Sequence, residues 1–398
     1  MTFPARPSPF PSPAAPTENI GTAFQIEARD AATRARAGIL RTAHGAVATP
    51  VFMPVATQGT VKALTQADLE SLGVRAILAN AYHLYLRPGT SIVEKAGGLH
   101  RFINYPGCIL TDSGGFQGMS LADLRKFDEN GIQFKSHLDG SLHELTPEKV
   151  MDIQRSLGAD IHTTLDVCVR WPVELGEARD ALERTMRWTE RCRKAFDEAN
   201  ADADPAPLFF PIVQGALFPD LRRRACGHLL SVLHDGVSLG GFSVGEPKPE
   251  TWEVLSRMAE YLPDEKPRYL MGVGTPEDLW EAVSHGVDMM DCVWPTRVAR
   301  HGCAMTHAGR LNLMNSGCRE DLGPLDPDCA CRVCRSCSRA YVSHLFRAQE
   351  YTAGQLLSYH NVFFLMEIMG TIRRAIAAGR FSEARAEFFR KYSPDPAA

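Results

Sequence analysis

The sequence predicts an α/β fold: a (β/α)8 TIM barrel carrying a small inserted subdomain near its C-terminus. Three observations predict it. Eight short apolar runs recur along the chain from Thr49 onward. Helix-like stretches with recognisable start signals lie between them. The chain has 398 residues, 44% of them hydrophobic, which is ample for one large core. Periodicity does not count closure, so an open doubly wound sheet is the competing architecture.

The runs, in order, are 49–55, 76–80, 108–114, 161–168, 208–215, 237–242, 268–274 and 287–293. They are bounded by Gly, Pro or Asn and are mostly apolar at every position, as strands buried on both faces of a parallel sheet must be. Thr65-Gln66-Ala67-Asp68 opens the first helix, with a Thr cap before an acidic turn. Thr146-Pro147-Glu148 and Thr275-Pro276-Glu277 place Pro at the first helical position. Segments 177–197 and 217–234 repeat apolar residues near a period of 3.6. Residues 131–145 read as a β-hairpin turning at Asp139-Gly140, an insertion after the third strand. The stretch after His360 reads as an amphipathic helix stopped by Gly379. The expected layout is a disordered Pro-rich tail over 1–22, a barrel over 23–315, a subdomain over 316–362, and helices over 363–392 that complete the barrel.

Within 316–362, Cys329, Cys331 and Cys334 form C-x-C-x-x-C, and His360 follows. Thiolates this close, with one imidazole, suit a tetrahedral zinc site. Four protein ligands leave no position for water, so a zinc ion here is structural. Cys337 and His344 compete as ligands, and spacing alone does not choose among them. The other cysteines are scattered, as reduced thiols are.

Net charge is −4, so any nucleic-acid partner must be met by a local patch. Residues 291–347 offer a mild one, with eight Arg against five acidic residues. Charge alone reads more simply as a solvated face. The N-terminal tail has no apolar core of a signal peptide, and no stretch has the apolar length of a membrane span. A cytoplasmic protein without a membrane partner is expected.

In a barrel, reactive groups sit at the carboxyl ends of the strands. Those ends carry Asn80, Asp112, Asp166, Gln214, Gly241, Gly274 and Asp291. Three carboxylates ending apolar strands point to chemistry, because burying an unpaired carboxylate is costly. Helix capping is the alternative for Asp112 and Asp166 taken singly. The turn Asp112-Ser113-Gly114-Gly115-Phe116 brings backbone N–H groups near a ligand and sets an aromatic ring beside it. Gly272-Val273-Gly274 before Pro276 suits either a phosphate site at a helix N-terminus or a plain tight turn. His301 and His307 lack metal-like spacing and read as polar surface residues.

Several strings together resemble one family: HGAVATPVFMPVATQGTVKAL (44–64), LANAYHLYLRPG (78–89), GGLHRFINYPGCILTDSGGFQ (97–117), FKSHLDGSLHELTPE (134–148), YLMGVGTPEDL (269–279), DCVWPTRVARHG (291–302), LDPDCACRVC (325–334) and SRAYVSHLF (338–346). The chain resembles the bacterial tRNA-guanine transglycosylases, or queuine tRNA-ribosyltransferases, from about Phe24 to about Tyr392. The resemblance implies a (β/α)8 barrel with a zinc subdomain. It also implies a glycosyltransferase that exchanges guanine at the wobble position of a GUN anticodon in tRNA for a 7-deazaguanine base, in queuosine biosynthesis.

The resemblance further implies Asp291 as nucleophile on the ribose and Asp112 as general acid/base. It implies Ser113, Gly114, Gly115, Asp166, Gln214 and Gly241 around the base, with Phe116 and Met271 sandwiching it. Gly272, Val273, Gly274, Thr275, Pro276, Glu277 and Asp278, with Thr296, Arg297, Val298, Ala299 and Arg300, match RNA-contacting positions. The zinc ligands become Cys329, Cys331, Cys334 and His360, and a homodimer is implied. The chain departs from the family pattern at Val167, Ala216, Phe242 and Ser243. Phe242 stands where the 7-substituent is contacted, which predicts a shifted preference between 7-aminomethyl-7-deazaguanine and queuine. A non-catalytic tRNA-binding paralogue is disfavoured by the presence of both Asp112 and Asp291. A DNA-acting relative or a barrel hydrolase is disfavoured by Thr296-Arg297 and the zinc spacing.

Overall fold

The computed structural model describes residues 23–120 and 125–394. The Pro-rich tail expected over 1–22 lies outside them. Eight parallel strands close a barrel: β1 (Val51–Ala56), β2 (Ala76–Ala79), β3 (Cys108–Thr111), β4 (Ile161–Thr163), β5 (Leu208–Phe210 and Ile212–Val213), β6 (Val237–Leu239), β7 (Arg268–Leu270) and β8 (Met289–Cys292). Each pairs with its sequence neighbours, and β8 pairs with β1 to close the ring. Strands β1 to β7 are buried at every position, as the apolar runs predict. β5 is broken at Pro211, which has no N–H to give to the ladder. Its first half pairs with β4 and its second with β6.

The strands are shorter than the runs that predict them. At the barrel's C-terminal face the chain turns out of the ladder; Gly241 and Gly272 do so at φ +69° and +77°, which most residues avoid. The remainder of most runs becomes a loop at this face, and these loops hold the candidate site.

The helix starts are as expected. Thr65 and Asp68 form a reciprocal capping box on Gln66–Ser71. Thr146 and Thr275 cap Pro147–Leu157 and Pro276–Ser284 through their side chains. The hairpin at 131–145 is larger than predicted: Ile132–Lys135 and Leu142–Leu145 are joined by a third strand, Arg125–Phe127.

An antiparallel sheet of Phe24–Arg29, Arg36–Thr42 and Gly45–Thr49 precedes the barrel and has no counterpart in the sequence reading. It covers the N-terminal face. Arg36, fully buried there, forks onto Asp288 at 2.9 and 2.6 Å, just before β8. The helix after the cysteine segment is Tyr351–Ala377, longer than predicted. It runs through residue 362 unbroken, so His360 and the barrel-packing residues share one element. Among the described residues no helix is long and apolar enough to cross a membrane.

Candidate active site

Two carboxyl groups face the C-terminal mouth from opposite sides of β1 and β2. Asp291 lies in β8, and Asp112 immediately follows β3. Both are buried. Asp291 Oδ1 accepts from Tyr269 Oη at 2.6 Å and from the Gly272 N–H at 2.9 Å. Both bonds fall on one oxygen, and Tyr269 is itself fully buried in β7. Burial raises the Asp291 carboxyl above the usual range, and these two donors pull against the rise.

Asp112 Oδ1 accepts from the Ala81 N–H at 2.9 Å. Its Oδ2 accepts from Asn80 Nδ2 at 2.6 Å and from Gln117 Nε2 at 3.1 Å. Its donors thus come mainly from the loop after β2, as well as from Gln117 in its own following helix. Burial pushes its pKa up to about 7, and the Asp291 charge adds to that rise. The two groups therefore sense one another.

A third carboxyl, Asp166, follows β4. Its Oδ2 accepts from Gln214 Nε2 at 2.6 Å, and Ser113 Oγ lies 3.4 Å from its Oδ1. Burial raises it to about 6. Gln214 Oε1 is buried without a partner, and a Cβ on Gly241 would lie 2.3 Å from it. A buried acceptor of this kind calls for a donor from a bound molecule. Gly115 packs so close that a Cβ would meet Asp166 O at 3.1 Å.

The structure thus brings together Asp112, Ser113, Gly114, Gly115, Asp166, Gln214, Gly241 and Asp291 at one end of the barrel. Phe116 is 44% exposed and Met271 half-buried, so both offer an apolar surface there. The expected RNA positions divide. Gly272, Arg297 and Arg300 are exposed, whereas Val273, Gly274, Pro276, Asp278, Thr296 and Ala299 are buried. Thr275, Glu277 and Val298 are intermediate. Asp278 is held by Lys248 Nζ at 2.8 and 2.9 Å, so surface contact in these segments falls mainly to Gly272 and the two arginines. Phe242 is 4% exposed, with its ring on the Arg222 guanidinium, 4.0 Å from centroid to Cζ. It presents almost no surface to a 7-substituent, contrary to the expectation from its position in the sequence. Tyr269 and Arg222 were not singled out from the sequence; Tyr269 sits inside an apolar strand, and Arg222 reads as one charge on an amphipathic helix.

The candidate metal site lies outside the barrel. The Sγ atoms of Cys329, Cys331 and Cys334 lie 3.7, 3.5 and 3.3 Å from His360 Nδ1. Tetrahedral zinc with S and N ligands has ligand–ligand edges of about 3.6 Å, so the four groups fit. His360 Nε2 donates to the Met305 carbonyl at 2.8 Å, which leaves Nδ1 bare toward the sulfurs. Cys337 and His344 stand outside the cluster. His307 is partly exposed, as a polar surface residue would be, and also bonds Asp326 at 2.7 Å.

A second His–Asp group behaves differently. His44 Nδ1 lies 2.7 Å and His100 Nε2 3.1 Å from the two oxygens of Asp160, below β4. His100 Nε2 also lies 3.1 Å from the Gly107 carbonyl, so two acceptors face it and a proton on Nε2 satisfies both. This group is a hydrogen-bonded clip between the N-terminal sheet and the barrel.

The chain matches the family model described as queuine tRNA-ribosyltransferase over residues 30–394. A queuine tRNA-ribosyltransferase of Caldanaerobacter subterraneus subsp. tengcongensis is 50% identical over 369 residues, covering 93% of this chain and 97% of that protein. One from Desulforudis audaxviator is 50% identical over 369 residues, covering 93% and 98%. One from Pelotomaculum thermopropionicum is 49% identical over 376 residues, covering 94% and 100%.

Proposed function

This chain belongs to the queuine tRNA-ribosyltransferase family, and from that premise we propose that it exchanges guanine at the wobble position of tRNA for a 7-deazaguanine base through an ester to Asp291. The observation that carries the reading is the Asp112–Asp291 pair: two buried carboxyls at the mouth ends of different strands, each held by its own set of donors.

Base exchange with retained configuration takes two inversions at the anomeric carbon, as in retaining glycosidases. In the first, Asp291 Oδ2, the oxygen opposite the two bonded donors, forms a bond to C1′ while the bond from C1′ to guanine breaks. Guanine takes the Asp112 proton as it leaves. In the second, the incoming base gives a proton to Asp112 and attacks C1′, and the ester to Asp291 breaks. A pKa near neutrality suits Asp112 to both transfers. The negative charge of Asp291 stabilises the oxocarbenium character of each transition state. Asp166, Gln214 and the Gly241 backbone read the guanine-like edge, and Phe116 and Met271 stack on its faces.

Reaching a wobble base requires drawing it out of the anticodon stack. Exposed Arg297 and Arg300 meet the tRNA backbone around a GUN anticodon. Zinc bound by Cys329, Cys331, Cys334 and His360 supplies a structural cross-link between the 329–334 segment and the long helix. The partner set includes a second copy of this chain. The base accepted is 7-aminomethyl-7-deazaguanine or queuine.

The test is exchange of labelled guanine into tRNA, with each free base as competitor. Wild type is expected to incorporate label, and Asp291→Asn to incorporate none. Undiminished exchange by Asp291→Asn would overturn the assignment.

A further inference from the structure

Arg222 is 1% exposed in the first turns of the helix Pro219–Leu229. Among the described residues no carboxylate pairs with its guanidinium. It binds four backbone carbonyls instead. Nε donates to Ala216 O at 2.8 Å, and Nη1 donates to Val213 O at 3.0 Å and Gly240 O at 2.7 Å. Nη2 donates to Gly241 O at 3.2 Å. Val213 ends β5 and Ala216 lies in the loop after it, while Gly240 and Gly241 lie in the loop after β6. One planar fork thus ties together the loops that carry Gln214 and Gly241.

A buried guanidinium is costly, and apolar side chains fill space without that cost. What the fork adds is direction. In a trans peptide the C=O and N–H point opposite ways. With Gly240 O on the guanidinium, the Gly241 N–H faces away from it, toward the Cys168 thiol. Ala216 takes a left-handed φ of +48°, disfavoured for a residue with a Cβ, while its carbonyl accepts from Nε. The space is filled to contact: a Cβ on Gly215 would lie 3.0 Å from Arg222 N, and one on Gly240 2.7 Å from Gln214 Nε2. The same guanidinium covers the Phe242 ring.

We propose that Arg222 is a positioning residue of the base pocket, fixing the Gln214–Ala216 and Gly240–Phe242 loops in the one arrangement that aims the Gln214 amide at an incoming base. The assignment rests on the base-exchange reading above.

The test measures KM for free guanine at saturating tRNA, and KM for tRNA at saturating guanine, in Arg222→Met and Arg222→Lys. The expected result is a KM for guanine raised at least tenfold in Arg222→Met, with KM for tRNA within twofold of wild type. Arg222→Lys, which keeps the charge but not the fork, should recover part of the loss. If Arg222→Met does not fold, the same split in Arg222→Lys carries the test. An unchanged KM for guanine in a folded variant, or an equal rise in both KM values, overturns the assignment. Absence of guanine exchange in wild type would instead overturn the base-exchange reading itself.

Discussion

Asp112→Asn separates the catalytic use of this side chain from its effect on folding. The Asp112 carboxyl is held at about 7 in the folded protein against 3.8 as the ordinary value, chiefly by burial. A group raised on folding holds its proton more tightly in the native state. Its contribution to stability is full below about pH 4 and is lost as pH climbs through 7. Between pH 5 and pH 8 the loss is about 2.6 kcal/mol, at about 1.4 kcal/mol per tenfold in proton affinity. Asparagine does not titrate, so the variant escapes this loss. It has a separate, pH-independent cost of about 1–3 kcal/mol, because an amide NH2 replaces an oxygen facing Asn80 Nδ2 and Gln117 Nε2. Asn80 cannot flip to relieve it, since its Oδ1 accepts from the His83 N–H at 3.1 Å. The quantity to measure is therefore the difference between wild type and variant in urea unfolding at pH 5, 6, 7 and 8. That difference should move in the variant's favour by about 2.6 kcal/mol from pH 5 to pH 8, or about 3 °C in Tm for a chain of this size. Base exchange should be abolished at every pH. A difference that stays flat with pH would mean that Asp112 titrates as an ordinary carboxylate, and would refute its role as a proton carrier near neutrality.

Arg36→Met strands Asp288 in the interior without its partner; urea unfolding should show a loss of about 3–5 kcal/mol, and a loss under 1 kcal/mol would contradict the account of the N-terminal sheet. Chelation of zinc should lower Tm, and Cys329→Ser should reproduce the effect while Cys337→Ser should not; equal effects of the two substitutions would break the ligand assignment. Asp166→Asn should raise KM for the free base by about 10- to 100-fold without preventing attack by Asp291, since a buried charged hydrogen bond is worth about 1.5–3 kcal/mol; an unchanged KM would remove Asp166 from base recognition.

The barrel was legible because parallel strands buried on both faces leave continuous apolar runs, and Thr-Pro pairs mark the helix starts. The runs overshot the strands because the loops of the mouth are themselves apolar and buried, as Val167, Ala216 and Val273 show. The N-terminal sheet was not legible. It is short, and its anchor is Arg36, a charge that reads as surface until Asp288, 252 residues away, folds against it. Arg222 is hidden for the same reason: its partners are carbonyls, and these carry no sequence signature. Strand-end position marked Asp112, Asp166, Gln214 and Asp291 as candidates, but the Tyr269 and Gly272 bonds that orient Asp291 exist only in the closed barrel. C-x-C-x-x-C marked a candidate metal site. Choosing His360 over His344 took the resemblance, and the helix that aims its Nδ1 at the sulfurs agrees with that choice.

The most direct test is to denature the protein after incubation with tRNA, digest both, and locate the ribose-bearing peptide by mass spectrometry. The account predicts one modified residue, Asp291, with no adduct from Asp291→Asn. An adduct that persists in that variant, or one carried by Asp112, would contradict it.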